Sequence, residues 1–257
     1  MTAPIESKDE PKLRPHSPLR SYYGEDKARH SYVMDLFDKT AHHYDTIERV
    51  FLNGGLHYRR FSLSLAGLRK GMKVLDVAIG TAAVAKGAIK IVGSEGQVYG
   101  VDPNRGMLGQ AKKAVDIPLT RGVAQELPFA NDSFDFVTMG IALRHVSDLV
   151  AAFGEYHRVL KPGGRLWILE GHVPSSKLGL SLARFFWAKV IPGMTLLTTR
   201  DRDAKLLMDY YWDTVEFSAD SDKIVGALAE VGFDQPRYKL VVPGAFCEYS
   251  GVKAIGN

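Results

Sequence analysis

The chain has 257 residues, 46% hydrophobic and 24% charged, a length and balance that suit one α/β domain with additions. Its 33 basic residues only slightly outnumber 29 acidic ones, and no run of about five like charges offers a track for a nucleic acid, so no nucleic-acid partner is expected. A single cysteine, Cys247, excludes an internal disulfide and every multi-cysteine metal site, and its apolar surroundings (AFCEYSGV) predict a small buried side chain.

Residues 1–20, rich in Pro and Ser, read as a flexible arm ahead of a single domain over 21–257. Tyr32, Val33, Leu36, Phe37, Ala41 and Tyr44 recur at three-and-four spacing and predict an amphipathic helix over 27–44. A second helix is predicted over 57–68, so that 27–70 forms an N-terminal helical cover. The period then changes. Short β-type runs at 73–77, 97–101, 117–120, 134–139 and 165–170 alternate with helical runs at 83–91, 107–115 and 149–160, which predicts a parallel sheet covered on both faces. The last of these strands follows the turn Lys161-Pro162-Gly163-Gly164. An aromatic-rich helical insertion over 177–217 interrupts the alternation where an acceptor lid would be built. A helix at 221–231 and strands near 236–242 and 246–253 complete the chain.

The run Val74–Ala82 is a strand entering a helix through a turn that contains Gly80, a geometry that lets a ligand approach the backbone and a helix N-terminus. Asp102, at the end of the next strand, is placed to accept hydrogen bonds from ribose hydroxyls. The turn lacks the G-x-G-x-x-G pattern of nicotinamide dinucleotide sites, because Ala78, Gly80 and Ala83 occupy those positions. No metal site is predicted: His42 and His43 are adjacent on a helix and should face different directions. Glu6, Asp9 and Glu10 stand where an export signal would be apolar, and no uncharged run reaches the roughly 18 residues of a bilayer span. A cytoplasmic location is therefore expected, with the mild positive charge compatible with peripheral contact to an anionic membrane.

Three further segments, Gly122–Phe129, Asp132–Val137 and Arg158–Leu166, follow in order and together resemble the motifs of class I S-adenosylmethionine-dependent methyltransferases. More narrowly, Leu36–Ala41 with Tyr44-Asp45, Ala142–Val146 with Asp148, Gly232-Phe233 and Tyr249–Gly251 are similar to the UbiE-type ubiquinone/menaquinone C-methyltransferase family over about residues 30–253. The resemblance implies a Rossmann-like sheet, mostly parallel with an antiparallel strand near the C-terminus. It implies S-adenosylmethionine as cofactor and a small apolar or prenylated acceptor. Ala78, Gly80 and Thr81 would meet the methionine part, Asp102 the ribose, and Met107, Val123 and Ala124 the adenine. Gly140 would lie beneath the sulfonium, and Tyr44 and Arg59 would cover the cofactor. Arg59 reads equally as a solvated basic residue beside Arg60.

The chain departs from the family at several of these positions. Ile79 replaces a small residue and is expected to narrow the turn. Ala82 is expected to need only helical angles, and Val123 stands where an acidic residue is common. His145 follows Arg144 where an Asn is usual. Arg144 and His145 are the catalytic candidates, Arg144 as an oxyanion partner and His145 as a base near pH 7. An O-, N- or C-methyltransferase of specialised metabolism and a cofactor-binding protein without catalysis both remain compatible with the sequence. The apolar–basic run 178–191 fits an acceptor pocket, a membrane contact or a homodimer surface.

Overall fold

The computed structural model describes residues 11–51, 55–241 and 245–255. Helices α1 (Arg20–Tyr23), α2 (Arg29–Phe51) and α3 (Gly55–Leu65) precede the sheet. The alternating region runs β1 (Lys73–Val77), α4 (Ala83–Val92), β2 (Gln97–Asp102), α5 (Arg105–Ala114), β3 (Leu119–Arg121), β4 (Phe134–Gly140), α6 (Leu149–Val159) and β5 (Leu160–Gly171). The insertion comprises α7 (Lys177–Phe185), a π-helical turn over Phe186–Val190, α8 (Ile191–Thr199) and α9 (Arg202–Glu216). The chain then closes with α10 (Ser221–Glu230), β6 (Phe233–Val241) and β7 (Phe246–Lys253).

One seven-stranded sheet results, in the order β3-β2-β1-β4-β5-β7-β6. β3, β2, β1, β4 and β5 are parallel, and β7 runs antiparallel to both β5 and β6. Strand order reverses between β1 and β4, which opens a crevice at their carboxyl ends. The predicted turn at 161–164 is absorbed into β5 as an irregularity: Phe134 pairs with Leu160 but Phe136 pairs with Arg165, so the intervening residues bulge out of the ladder.

Burial explains the layers. In α6, Asp148 caps the amides of Val150 and Ala151 while Leu149, Ala152, Phe153 and Tyr156 pack on one face of the sheet. On the other face, the small residues Ala85, Gly87 and Ala88 of α4 let α3 approach closely, the backbone of Arg60 lying 3.6 Å from where a Cβ of Gly87 would stand. A third apolar cluster lies off the sheet, where Val33, Leu36 and Ile47 of α2 meet Ile191, Leu207 and Tyr210 of the insertion. Cover and insertion thus form one roof rather than two separate lids.

The expected flexible arm is corrected over its second half. Leu149 donates its amide to the Leu13 carbonyl (3.0 Å), Ala219 to Pro15 (2.7 Å), and the Ser17 amide reaches Phe217 (3.2 Å). Pro-rich chain cannot pair with itself in a helix, but its carbonyls remain good acceptors for neighbouring elements. Residues 1–10 lie outside the described residues. In the insertion, Pro192 has no N–H to offer the preceding turn, and the helix widens into the π-turn just before it.

Candidate active site at the switch point

Between β1 and α4 the backbone alternates into the left-handed region at Ala78 (φ 53°), Gly80 (φ 55°) and Ala82 (φ 68°). Gly80 adopts this geometry freely, whereas each alanine stores roughly 1–2 kcal/mol. Ala82 therefore does not have the helical angles expected from sequence. Ile79 is corrected too. Its side chain is buried against Gly100, whose Cβ would lie 2.4 Å from Ile79 Cδ1, so it turns into the core under the turn. Three hydrogen bonds hold the strained path: Ile79 N–H to Val101 O (3.1 Å), Ala82 N–H to Ile79 O (2.9 Å) and Gly80 N–H to Asp102 Oδ2 (3.0 Å).

A cavity of about 610 Å3 opens above this turn. Ala78, Gly80, Thr81 and Asp102 line its floor, Met107, Val123 and Ala124 one flank, and Gly140 the end of β4. Tyr44 and Arg59 reach the same cavity from α2 and α3. Arg59 is only 5% exposed, which rules out the reading as a solvated surface residue.

Asp102 accepts from the amides of Gly80 and Asn104 (3.0 and 2.8 Å), yet burial outweighs them and pushes its pKa up to about 6. Sequence reasoning missed Asp76, although a carboxylate inside the buried strand Val74–Val77 was the available signal. Burial raises Asp76 to about 7, against the opposing effects of the Thr138 hydroxyl (2.8 Å), the Ala85 amide and the Arg59 charge. Its Oδ2 and the Thr81 Oγ1 are buried without hydrogen-bond partners, and both residues line the cavity. Also missed was Asn104, which caps α5 through Met107 N–H (2.8 Å) and donates to Met34 O of α2 (2.9 Å). That residue ties the flank of the cavity to its roof.

The two catalytic candidates occupy different environments. His145 lines the cavity, half-buried, with its ring packed between Phe37 and Tyr210 and both ring nitrogens buried without a hydrogen-bond partner. Burial, then the charges of Arg144, Arg29 and His16, lower its pKa well below the ordinary imidazole value. The expected proton uptake near pH 7 is therefore corrected: the ring is neutral there. Arg144 does not line the main cavity. Its Nη1 donates to Glu170 Oε1 (2.7 Å) and Ile141 O (2.8 Å), and the guanidinium stands 4.4 Å from the Tyr211 ring centroid. Burial is the largest single effect and opposes its charge, but Glu170, Tyr211 and Tyr44 together outweigh it and raise its pKa. Arg29, which sequence reasoning passed over, lines the cavity and donates to the Arg144 carbonyl (2.8 Å).

The spacing argument against a shared direction for His42 and His43 is also corrected. Their ring centroids are 3.9 Å apart, and His43 Nε2 lies 3.1 Å from Asp201 Oδ2, the three forming a group that could hold an ion. Asp201 is at the same time the N-cap of α9, accepting from Asp203 N–H (2.8 Å). The group lies outside the cavity lining.

The sheet order, the antiparallel β7 and a cavity at the β1/β4 switch point define the class I methyltransferase fold. Solved structures agree: the chain resembles a SAM-dependent methyltransferase from Aquifex aeolicus with a TM-score of 0.58 (18% identity, 81% of this chain and 97% of that one). It also resembles a possible histamine N-methyltransferase from Thermotoga maritima with a TM-score of 0.60 (19% identity, 86% and 99%). The ubiE/COQ5 methyltransferase family model matches residues 25–253, and the chain belongs to that family. Among its relatives, the ubiquinone/menaquinone biosynthesis C-methyltransferase UbiE of Saccharophagus degradans is 35% identical over 89% of this chain and 93% of its own. The protein of the same name from Teredinibacter turnerae is 34% identical over 86% and 91%.

The chain is thus an S-adenosylmethionine-dependent methyltransferase, and the cavity suits that cofactor. Unpaired Asp76 Oδ2 could receive an ammonium, Arg59 and Thr81 a carboxylate, and Asp102 two ribose hydroxyls.

Proposed function

We propose that the enzyme methylates a ring carbon of a prenylated quinol. The observation that carries this reading is the single cavity that joins the polar β1–α4 turn to an apolar, aromatic chamber. Beyond Gly140 its wall includes Phe37, Tyr44, Trp187, Met208 and Tyr211. The names of the UbiE relatives point the same way.

S-adenosylmethionine supplies an electrophilic methyl group on a sulfonium. The protein must align the acceptor with it, exclude water and favour the phenolate that makes the ring carbon nucleophilic. Arg29 places positive charge at the chamber wall, which favours a phenolate over a phenol, whereas the charge of Arg144 is balanced by Glu170. His145, neutral and unpaired, offers a hydrogen-bond acceptor that orients the hydroxyl; its low basicity makes full proton capture unfavourable. Tyr44 and Arg59 close the chamber from the roof.

Trp187 lines the cavity, while Phe186 beside it is 45% exposed, so only the first belongs to the chamber. Each buried methylene of a tail is worth about 0.8 kcal/mol. Trp187→Ala should therefore raise the acceptor's KM increasingly with tail length while cofactor affinity stays unchanged. A penalty independent of tail length would remove the tail from this chamber.

A further inference from the structure

Residues 177–199 form one long helical segment, continuous through the π-turn and long and apolar enough by composition to cross a membrane, yet only 17% of its most apolar stretch is buried. Its outward face carries Leu178, Leu182, Phe185, Phe186, Met194 and Leu197, exposed by between 42% and 79%. Large apolar side chains are ordinarily scattered singly on a protein surface, whereas these follow one another along a single helical segment. The inward face differs: Ile191 and Thr195 are buried, and Trp187 lines the cavity.

Charge identifies what meets the outward face. Lys177, Arg184 and Lys189 are exposed on the same segment, and no acidic residue occurs between Pro174 and Arg200. Arg184 is paired with Glu216 of α9, leaving Lys177 and Lys189 to set the sign of the surface. Two copies meeting by a two-fold axis would bring these like charges together, and a bilayer-spanning path would place Arg184 and Lys189 in hydrocarbon. An anionic lipid surface satisfies both features, since apolar side chains enter the acyl boundary while lysines reach the headgroups.

We infer that the outward face of residues 177–199 docks the enzyme on an anionic phospholipid bilayer. This inference rests on the prenylated-acceptor reading, because docking would place the Trp187 wall of the chamber beside the lipid phase that holds such an acceptor. At the start of the π-turn, Phe185 and Phe186 stand exposed while Trp187 lines the chamber, so the outward face and the chamber meet within three consecutive residues.

The test is co-sedimentation of the full chain with vesicles of phosphatidylcholine alone or mixed with phosphatidylglycerol. The double variant Leu182→Ser/Phe185→Ser and the variant Lys177→Gln/Lys189→Gln change only exposed side chains. Binding should be strong to the mixed vesicles and at least about tenfold weaker in either variant, with melting temperature and S-adenosylmethionine affinity unchanged. Methylation of a short-chain, water-soluble demethylated quinol should be equal in all three proteins. Absence of vesicle binding, binding unaffected by the variants, or a wild-type dimer that both variants dissolve would overturn the docking inference. If the wild type then still methylates the soluble quinol, the proposed reaction stands without it; if it does not, the reaction itself fails.

Discussion

Asp102 Oδ2 and the Gly80 amide, 22 residues apart in sequence, meet at 3.0 Å across the switch point of the sheet. The carboxylate that would hold the ribose also pins the strained turn that would hold the methionine part. Asp102→Ala should lower S-adenosylmethionine affinity by about a hundredfold, as expected for two lost charge-assisted hydrogen bonds. In the wild type, affinity should fall as pH drops through about 6, where the carboxyl gains a proton and loses acceptor capacity. Calorimetric titration across that range reads both effects; a flat profile would show that Asp102 does not face the ligand.

Asp76 and Asp102 give a second pH dependence of opposite benefit. Both hold their protons more tightly folded (about 7 and about 6) than an unfolded aspartate at about 3.9. Folding therefore takes up protons between these values, and the cofactor-free protein should gain stability as pH falls from about 7 towards 4. Asp76→Asn should raise the melting temperature of the cofactor-free protein at pH 8, flatten this dependence and weaken cofactor binding. Stability and ligand affinity moving together in that variant would contradict the assignment.

The Arg144–Glu170 pair, with side chains 3% and 6% exposed, is predicted to support the strand ends rather than touch the cofactor. Glu170→Ala would leave a buried guanidinium without its main counter-charge, at a cost of about 3–5 kcal/mol. Denaturant unfolding should show this loss, and the pair Arg144→Met/Glu170→Leu should recover much of it. A Glu170→Ala variant as stable as the parent would mean that the guanidinium finds another partner.

His145 should contribute to turnover without setting its pH profile. Its pKa lies well below neutrality, so the ring stays neutral throughout the range in which the acceptor ionises. His145→Ala should lower kcat through lost positioning, while the position of any limb above pH 6 stays where the acceptor places it. A limb near neutrality that vanishes with His145 would restore the imidazole as the base.

The alternation of strands and helices was legible because buried parallel strands and their covering helices differ in hydrophobic period, and the Val74–Asp102 spacing already located the cofactor floor. The left-handed angles at Ala78 and Ala82 were not legible, because alanine carries no signal of φ; the turn is held by the Gly80 and Ile79 amides donating to Asp102 and Val101. Nor did spacing along one helix reveal that His42 and His43 converge on Asp201, since that residue comes from the α8–α9 junction of the insertion, more than 150 residues on. Proline content suggested a loose arm, whereas the partners that fix Leu13 and Pro15 lie more than 130 residues away. The low basicity of His145 rests first on burial, then on Arg144, Arg29 and His16, and all but the neighbouring Arg144 come only with the folded roof.

Carbon methylation of a prenylated quinol is decided by incubating the purified protein with methyl-labelled S-adenosylmethionine and a demethylated prenylated quinol, then locating the label by mass spectrometry and NMR. The wild type should give a product labelled on a ring carbon, strongly reduced in Asp102→Ala at limiting cofactor. Label on an oxygen, or no transfer to the quinol by a protein that binds the cofactor, would contradict it.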